Sequence, residues 1–166
     1  MYQPVFAVYI TLGITMSPIT VRRAIASERE ALEALQWRAS LNNPNDRASL
    51  LANPDAIELP LQQILDGQVH VAERAGRIKG FSALVPRQDG NVELDALFVE
   101  PECWRQGIGR ALVEHGAEVA ASTGAKHLHV IGNPHAEHFY TACGFQLLGA
   151  HETRFGQGLL MRKPVE

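Results

Sequence analysis

Val92-Glu-Leu-Asp-Ala-Leu-Phe-Val-Glu-Pro-Glu-Cys-Trp-Arg-Gln-Gly-Ile-Gly-Arg-Ala-Leu112 begins as a strand and ends as a helix, with a glycine-containing turn between them. Residues 92–99 alternate apolar and polar side chains at first, and Pro101 stops the strand. From 107 to 122, Ile108, Leu112 and Val119 share one helical face with Ala111 beside them, and Gly124 closes the run. The start of such a helix presents unpaired N–H groups and a partial positive charge. Gly107 and Gly109 leave the main chain open to an anion, and Arg105 and Arg110 can add charged contacts. The cradle expected from Arg105, Gln106, Gly107, Ile108, Gly109 and Arg110 suits a pyrophosphate. It is not a P-loop, since no Gly-Lys-Ser/Thr follows, and it has two of the three glycines of a dinucleotide fingerprint.

Upstream of this stretch, residues 19–23 read as a strand. Ser27 and Glu30 have the spacing of a capping box, and Ala31, Leu32, Leu35 and Ala39 form a helical apolar stripe. Asn42 to Asn45 break that helix, and a weaker helical stretch with Pro54 and Pro60 reaches about Leu65. Strands follow at 68–74, 78–85 and 92–99, joined by short turns, which is the pattern of an antiparallel meander. Downstream, 126–131 is a strand parallel to 92–99, because a crossover helix joins them. A short helix at 136–143 ends at Gly144, and 145–152 with 158–162 completes a hairpin. The fold expected is α/β (α+β): a mixed, mostly antiparallel sheet of about six or seven strands with helices on both faces. At 166 residues and 46% hydrophobic, the chain supports one core.

The second informative stretch is Asn133-Pro-His-Ala-Glu-His-Phe-Tyr-Thr-Ala-Cys-Gly-Phe145. The two stretches together resemble the GCN5-related N-acetyltransferase (GNAT) superfamily. Gly107, Ile108 and Gly109 match the second half of its Arg/Gln-x-x-Gly-x-Gly/Ala turn, with Trp104 departing from the pattern at the first position. Asn133, Ala136, Phe139, Tyr140, Gly144 and Phe145 fill every fixed position of its Asn-x-x-Ala-x-x-Phe-Tyr-x-x-x-Gly-Phe signature.

The resemblance implies acetyl-CoA as co-substrate and direct transfer of acetyl to an amine of a small molecule or peptide in a ternary complex. It also implies a sheet splayed between its two parallel strands, Phe98 and Val99 pairing with the pantetheine arm, and Asn133 and Tyr140 near the sulfur. A phenol can protonate the departing thiolate, the role expected of Tyr140. A base should deprotonate the amine. Glu93 stands where family members carry such a Glu, and Asp95 is the alternative on the same side of the strand. A strand N–H at Phe98 or Val99 would meet the charge developing on the thioester oxygen. Trp37, Arg38 and Ser40 fall where the superfamily commonly walls its acceptor site, and the region from about Trp37 to Leu65 is expected to shape that pocket. A non-catalytic acyl-CoA sensor would keep both motifs and is the alternative reading.

Several other functions are not indicated. The net charge of -3 and the absence of a basic stripe argue against nucleic acid. Seven histidines, among them His127, His129, His135 and His138, form no zinc spacing, so no metal is expected. Cys103, in an expected exposed loop, and Cys143 read as free thiols of a cytoplasmic protein. Residues 1–15 contain no charged side chain and are too few for a membrane span; they read as an extra strand or as sequence upstream of a start at Met16. The acetyltransferase domain is then 16–166. A homodimer would be in keeping with the resemblance.

Overall fold

The computed structural model describes residues 17–166, so the expectation for residues 1–15 lies outside the described residues. The strands are β1 (Ile19–Arg23), β2 (Val69–Arg74), β3 (Arg77–Pro86), β4 (Val92–Val99), β5 (His127–Gly132), β6 (Gln146–Thr153) and β7 (Gly156–Pro164). The helices are α1 (Arg29–Leu41), α2 (Pro44–Ala52), α3 (Leu61–Leu65), α4 (Ile108–Ser122) and α5 (Glu137–Ala142). One seven-stranded sheet runs β1-β2-β3-β4-β5-β7-β6. Its neighbours are antiparallel except β4 and β5, which are parallel, as the crossover through α4 requires.

Alternation along the strands divides the core between the two faces. Val69, Val71, Phe81 and Ala83 point to one face and pack with Leu32 and Leu35 of α1 and Ile64 of α3. Leu84, Val92, Leu94, Leu128 and Val130 point to the other and pack with Val113 and Ala120 of α4 and Tyr140 of α5. Gly80 lies under α4 because a Cβ there would stand 2.9 Å from the Phe98 carbonyl and 3.0 Å from Ile108.

Two local expectations are corrected. Residues Ala26–Glu28 form a tight 3-10 turn before α1, so the box does not form at Ser27 and Glu30; instead the Glu28 carboxylate accepts the Ile25 N–H at 2.9 Å and pairs with Arg22. Ala31 lies on the exposed side of α1, and the buried stripe is Leu32, Leu35 and Ala39.

Inside the α4 face, His70 of β2 lies 4.7 Å, ring to ring, from His115 of α4. His70 Nδ1, Ser82 Oγ and His115 Nε2 are buried there without a hydrogen-bond partner among the described residues. Burial, then the charges of His115 and Arg23, push His70 down to about 4, and burial lowers His115 as well. Between that value and the ordinary 6.5 the unfolded chain binds a proton that the folded chain refuses, so stability rises with pH across this window and is lost on acidification. Urea unfolding at pH 7 and pH 5 is expected to show a loss of about 1 kcal/mol from His70, once the full shift is discounted for solvent screening. His70→Gln should flatten that dependence; an unchanged slope would contradict the account.

Candidate active site

β4 and β5 pair only at Val92–Leu94 against Leu128–Val130. Beyond that point they diverge. The register of β4 against β3 slips between Ala83 and Leu84, leaving Asp95 as an extra residue without a partner. Such a bulge bends its strand and re-aims the residues after it. Leu94 belongs to the α4-side core, whereas Ala96 and Phe98 pack on the α1 side and Leu97 and Val99 on the α4 side. Leu97, Phe98 and Val99 then line a cleft of about 930 Å³ that opens in the split.

One end of the cleft is the turn before α4. Arg105 has φ 63 and Gly107 φ 86, both left-handed. Left-handed residues in such a turn curl the chain so that successive N–H groups face one concavity, an anion-binding arrangement. Gly107 is the residue immediately before α4, and a Cβ placed on it meets nothing within 4 Å, so the space beside it is open for a ligand. Gly109 lies against Phe139, whose Cζ would stand 3.1 Å from an added Cβ. Arg105 and Arg110 line the same wall, as Ile108 does. Gln106 does not: it accepts from Arg74 at 2.8 Å and donates to the Glu102 carbonyl, bracing the turn from behind. Trp104, at the position where the motif departs, donates its indole N–H to the Val99 carbonyl at 2.9 Å and fastens the turn to the end of β4. These features fit a pyrophosphate with a pantetheine arm entering the split.

Tyr140 and Asn133 form another wall. The Tyr140 ring packs edge-on against Phe139 and Phe145 and over Gly132, where a Cβ would come within 3.0 Å of it. Burial pushes its phenol well above the ordinary tyrosine range. The Asn133 side chain accepts the His135 N–H at 3.0 Å and donates to both oxygens of Asp46, at 3.1 and 3.3 Å.

The other sequence-derived candidates lie elsewhere. Glu93 and Asp95 do share the α1 side of the sheet, but neither lines the cleft. Glu93 pairs with Arg87 at 3.4 Å and Asp95 accepts from Gln63 of α3 at 3.3 Å. Arg38 is paired with Glu100 and lines a smaller adjoining pocket with Leu41, Arg47 and Glu102; Trp37 lines neither. Cys103 is buried and on the cleft wall, not in an exposed loop. Within the region expected to shape the acceptor pocket, the junction of α1 and α2 brings Ser40, Asn42, Asn43 and Asp46 to the cleft wall; of these, the sequence singles out Ser40 but not Asn42, Asn43 or Asp46 as site residues. The Asn-rich break was visible, but no motif tied it to the site. Among the described residues no three His, Cys, Asp or Glu side chains gather as a metal site, and no helix is long and apolar enough to cross a membrane.

A mixed sheet split at its one parallel pair, with an anion-binding turn at the start of the crossover helix and a tyrosine facing the gap, defines an acyl-CoA-dependent transferase fold. The chain belongs to the acetyltransferase (GNAT) family, whose model matches residues 30–145. It is 31% identical over 137 residues to the peptidyl-lysine N-acetyltransferase YjaB of Salmonella typhimurium, covering 81% of this chain and 88% of that protein. The solution structure of apo YjaB from Escherichia coli superposes with a TM-score of 0.69 at 25% identity, covering 90% of this chain and 99% of that one. PaiA N-acetyltransferase from Thermoplasma acidophilum, solved with coenzyme A, shares the fold with a TM-score of 0.70 at 20% identity, over 89% and 99% of the chains. The protein is thus an N-acetyltransferase with acetyl-CoA as co-substrate.

Proposed function

We propose that this enzyme transfers acetyl directly from acetyl-CoA to a primary amine of a small molecule or peptide, with both substrates held in the cleft at once. The observation that carries the reading is the continuity of that cleft. It runs from the Arg105–Arg110 turn, past the end of β4 that no longer pairs with β5, to Tyr140. Similarity to a peptidyl-lysine acetyltransferase supports a peptide amine among the acceptors.

In this reading the N–H groups of the turn hold the diphosphate and the end of β4 pairs with the arm. A strand N–H at Phe98 or Val99 meets the charge growing on the carbonyl oxygen. The amine nitrogen bonds to the carbonyl carbon, and the C–S bond breaks with its electron pair going to sulfur. Tyr140 gives its proton to that sulfur, and the proton shed by nitrogen restores the phenol. The incoming ammonium first gives its extra proton to solvent water, and neither β4 carboxylate is assigned that proton, because both lie off the cleft wall and Glu93 is held by Arg87. Glu93→Gln is therefore expected to change kcat/KM by less than about 3-fold, since an off-site carboxylate gives little of the usual acid–base contribution. A loss near 100-fold would return the base to Glu93 through water.

The testing experiment is thiol release from acetyl-CoA over a panel of amines and lysine peptides at several concentrations of both substrates. Intersecting double-reciprocal lines support direct transfer. Parallel lines would indicate an acetylated enzyme and overturn that step.

A further inference from the structure

The geometry points to Asp46 as the anionic anchor for the acceptor, and so to cationic alkylamines, such as a lysine side chain or a polyamine, as the acceptor class. The inference rests on the acetyl-transfer reading above.

Asp46 lies in the first turn of α2. It is the sole carboxylate on the cleft wall among the described residues. Its hydrogen-bond partners are neutral: the Asn43 side-chain amide at 2.8 Å and the Asn133 amide. Glu28 and Glu73 pair with Arg22, Glu93 with Arg87, and Glu100 with Arg38. Asp46 has no such arginine or lysine partner among the described residues. A carboxylate offers about four lone-pair sites, so two amides leave it capacity for an ammonium.

The cost of keeping it ionised shows in its acidity. Burial raises its pKa above the usual carboxylate range, and the nearby His135 and the Asn133 bond offset that only in part. The other titratable groups on the cleft wall are Cys103, Arg105, Arg110, His138 and Tyr140. The cleft therefore has cations at the phosphate turn and an anion at the α2 cover. Asn133 links this anion to the end of β5, one short helix from Tyr140. An acceptor ammonium drawn to Asp46 is thus led to the wall that carries the phenol.

A purely structural role, as a latch tying α2 to β5, predicts something different, and the experiment separates the two. Asp46→Asn and Asp46→Glu are compared with wild type using spermidine and Nα-acetyl-lysine amide as acceptors, with thermal melts and coenzyme A calorimetry alongside. Asp46→Asn should raise the acceptor KM about 30-fold, the scale of one charge-assisted contact, with kcat changed by less than about 3-fold and coenzyme A affinity by less than about 2-fold. Asp46→Glu should recover part of the loss. Unchanged acceptor KM overturns the assignment. So does a joint fall in melting temperature and coenzyme A affinity, the mark of a latch. So does a wild-type protein that binds coenzyme A yet acetylates neither amine. A wild-type protein that binds no coenzyme A overturns the acetyl-transfer reading itself, and this inference with it.

Discussion

Gly107→Glu is expected to weaken acetyl-CoA binding by at least about 100-fold, on the scale of losing several charge-assisted contacts and adding a like charge. Gly107 has φ 86 and caps the start of α4 from the left-handed region. Any side chain there adds strain on the order of 1–2 kcal/mol. That cost alone should leave the protein folded, because no atom outside its chain neighbours lies within 4 Å of the added Cβ. The larger effect is electrostatic. The same open space is where a diphosphate would meet the helix N-terminus, and a carboxylate placed there would compete for the N–H groups and repel the phosphates. Gly107→Ala separates the two contributions, adding strain and one methyl without charge, and should cost about 10-fold or less. Calorimetry with coenzyme A checks both variants, with thermal melts to establish folding. Retained micromolar affinity in Gly107→Glu would show that the turn is not the phosphate cradle.

The turn could be read from sequence because its information is local. Two glycines, a preceding Pro-terminated strand and a following apolar stripe fix its geometry within about twenty residues, and β4 and α4 appear where the pattern put them. The face of the carboxylates was legible for the same reason: Glu93 and Asp95 share one side of β4. Their distance from the chemistry was not. It depends on the slip of β4 against β3 at Asp95, which sets the cleft beyond that residue, and a strand's own alternation does not reveal where a partner slips.

The start of α1 shows another limit. Ser27 and Glu30 have the right spacing, but Arg22 and the Ile25 N–H engage Glu28, and the chain turns two residues earlier. Asp46 lies furthest from sequence-level reach. Its meaning comes from Asn133, 87 residues later, and from its place as the sole carboxylate on the cleft wall among the described residues, which only tertiary structure displays.

Tyr140→Phe is the other large expected effect: kcat lower by about 10- to 100-fold, the usual range for acid catalysis, with coenzyme A affinity changed by less than about 2-fold. The substitution removes one oxygen and leaves the ring that fits between Phe139, Phe145 and Gly132, so packing should survive. Burial holds the phenol protonated throughout the working range, making it a donor at every relevant pH. The same burial makes it a weaker acid than a thiol near pKa 8.5, so a stepwise gift of its proton to sulfur runs uphill. The transfer is favourable only if the nitrogen's proton reaches the phenol oxygen as the phenol's own proton leaves. Two readings of the rate follow. Wild-type kcat should show no alkaline fall from Tyr140 between pH 7 and about 10. A solvent deuterium isotope effect on kcat should be present in wild type and smaller in Tyr140→Phe. A variant with wild-type turnover and an unchanged isotope effect would remove the phenol from the reaction.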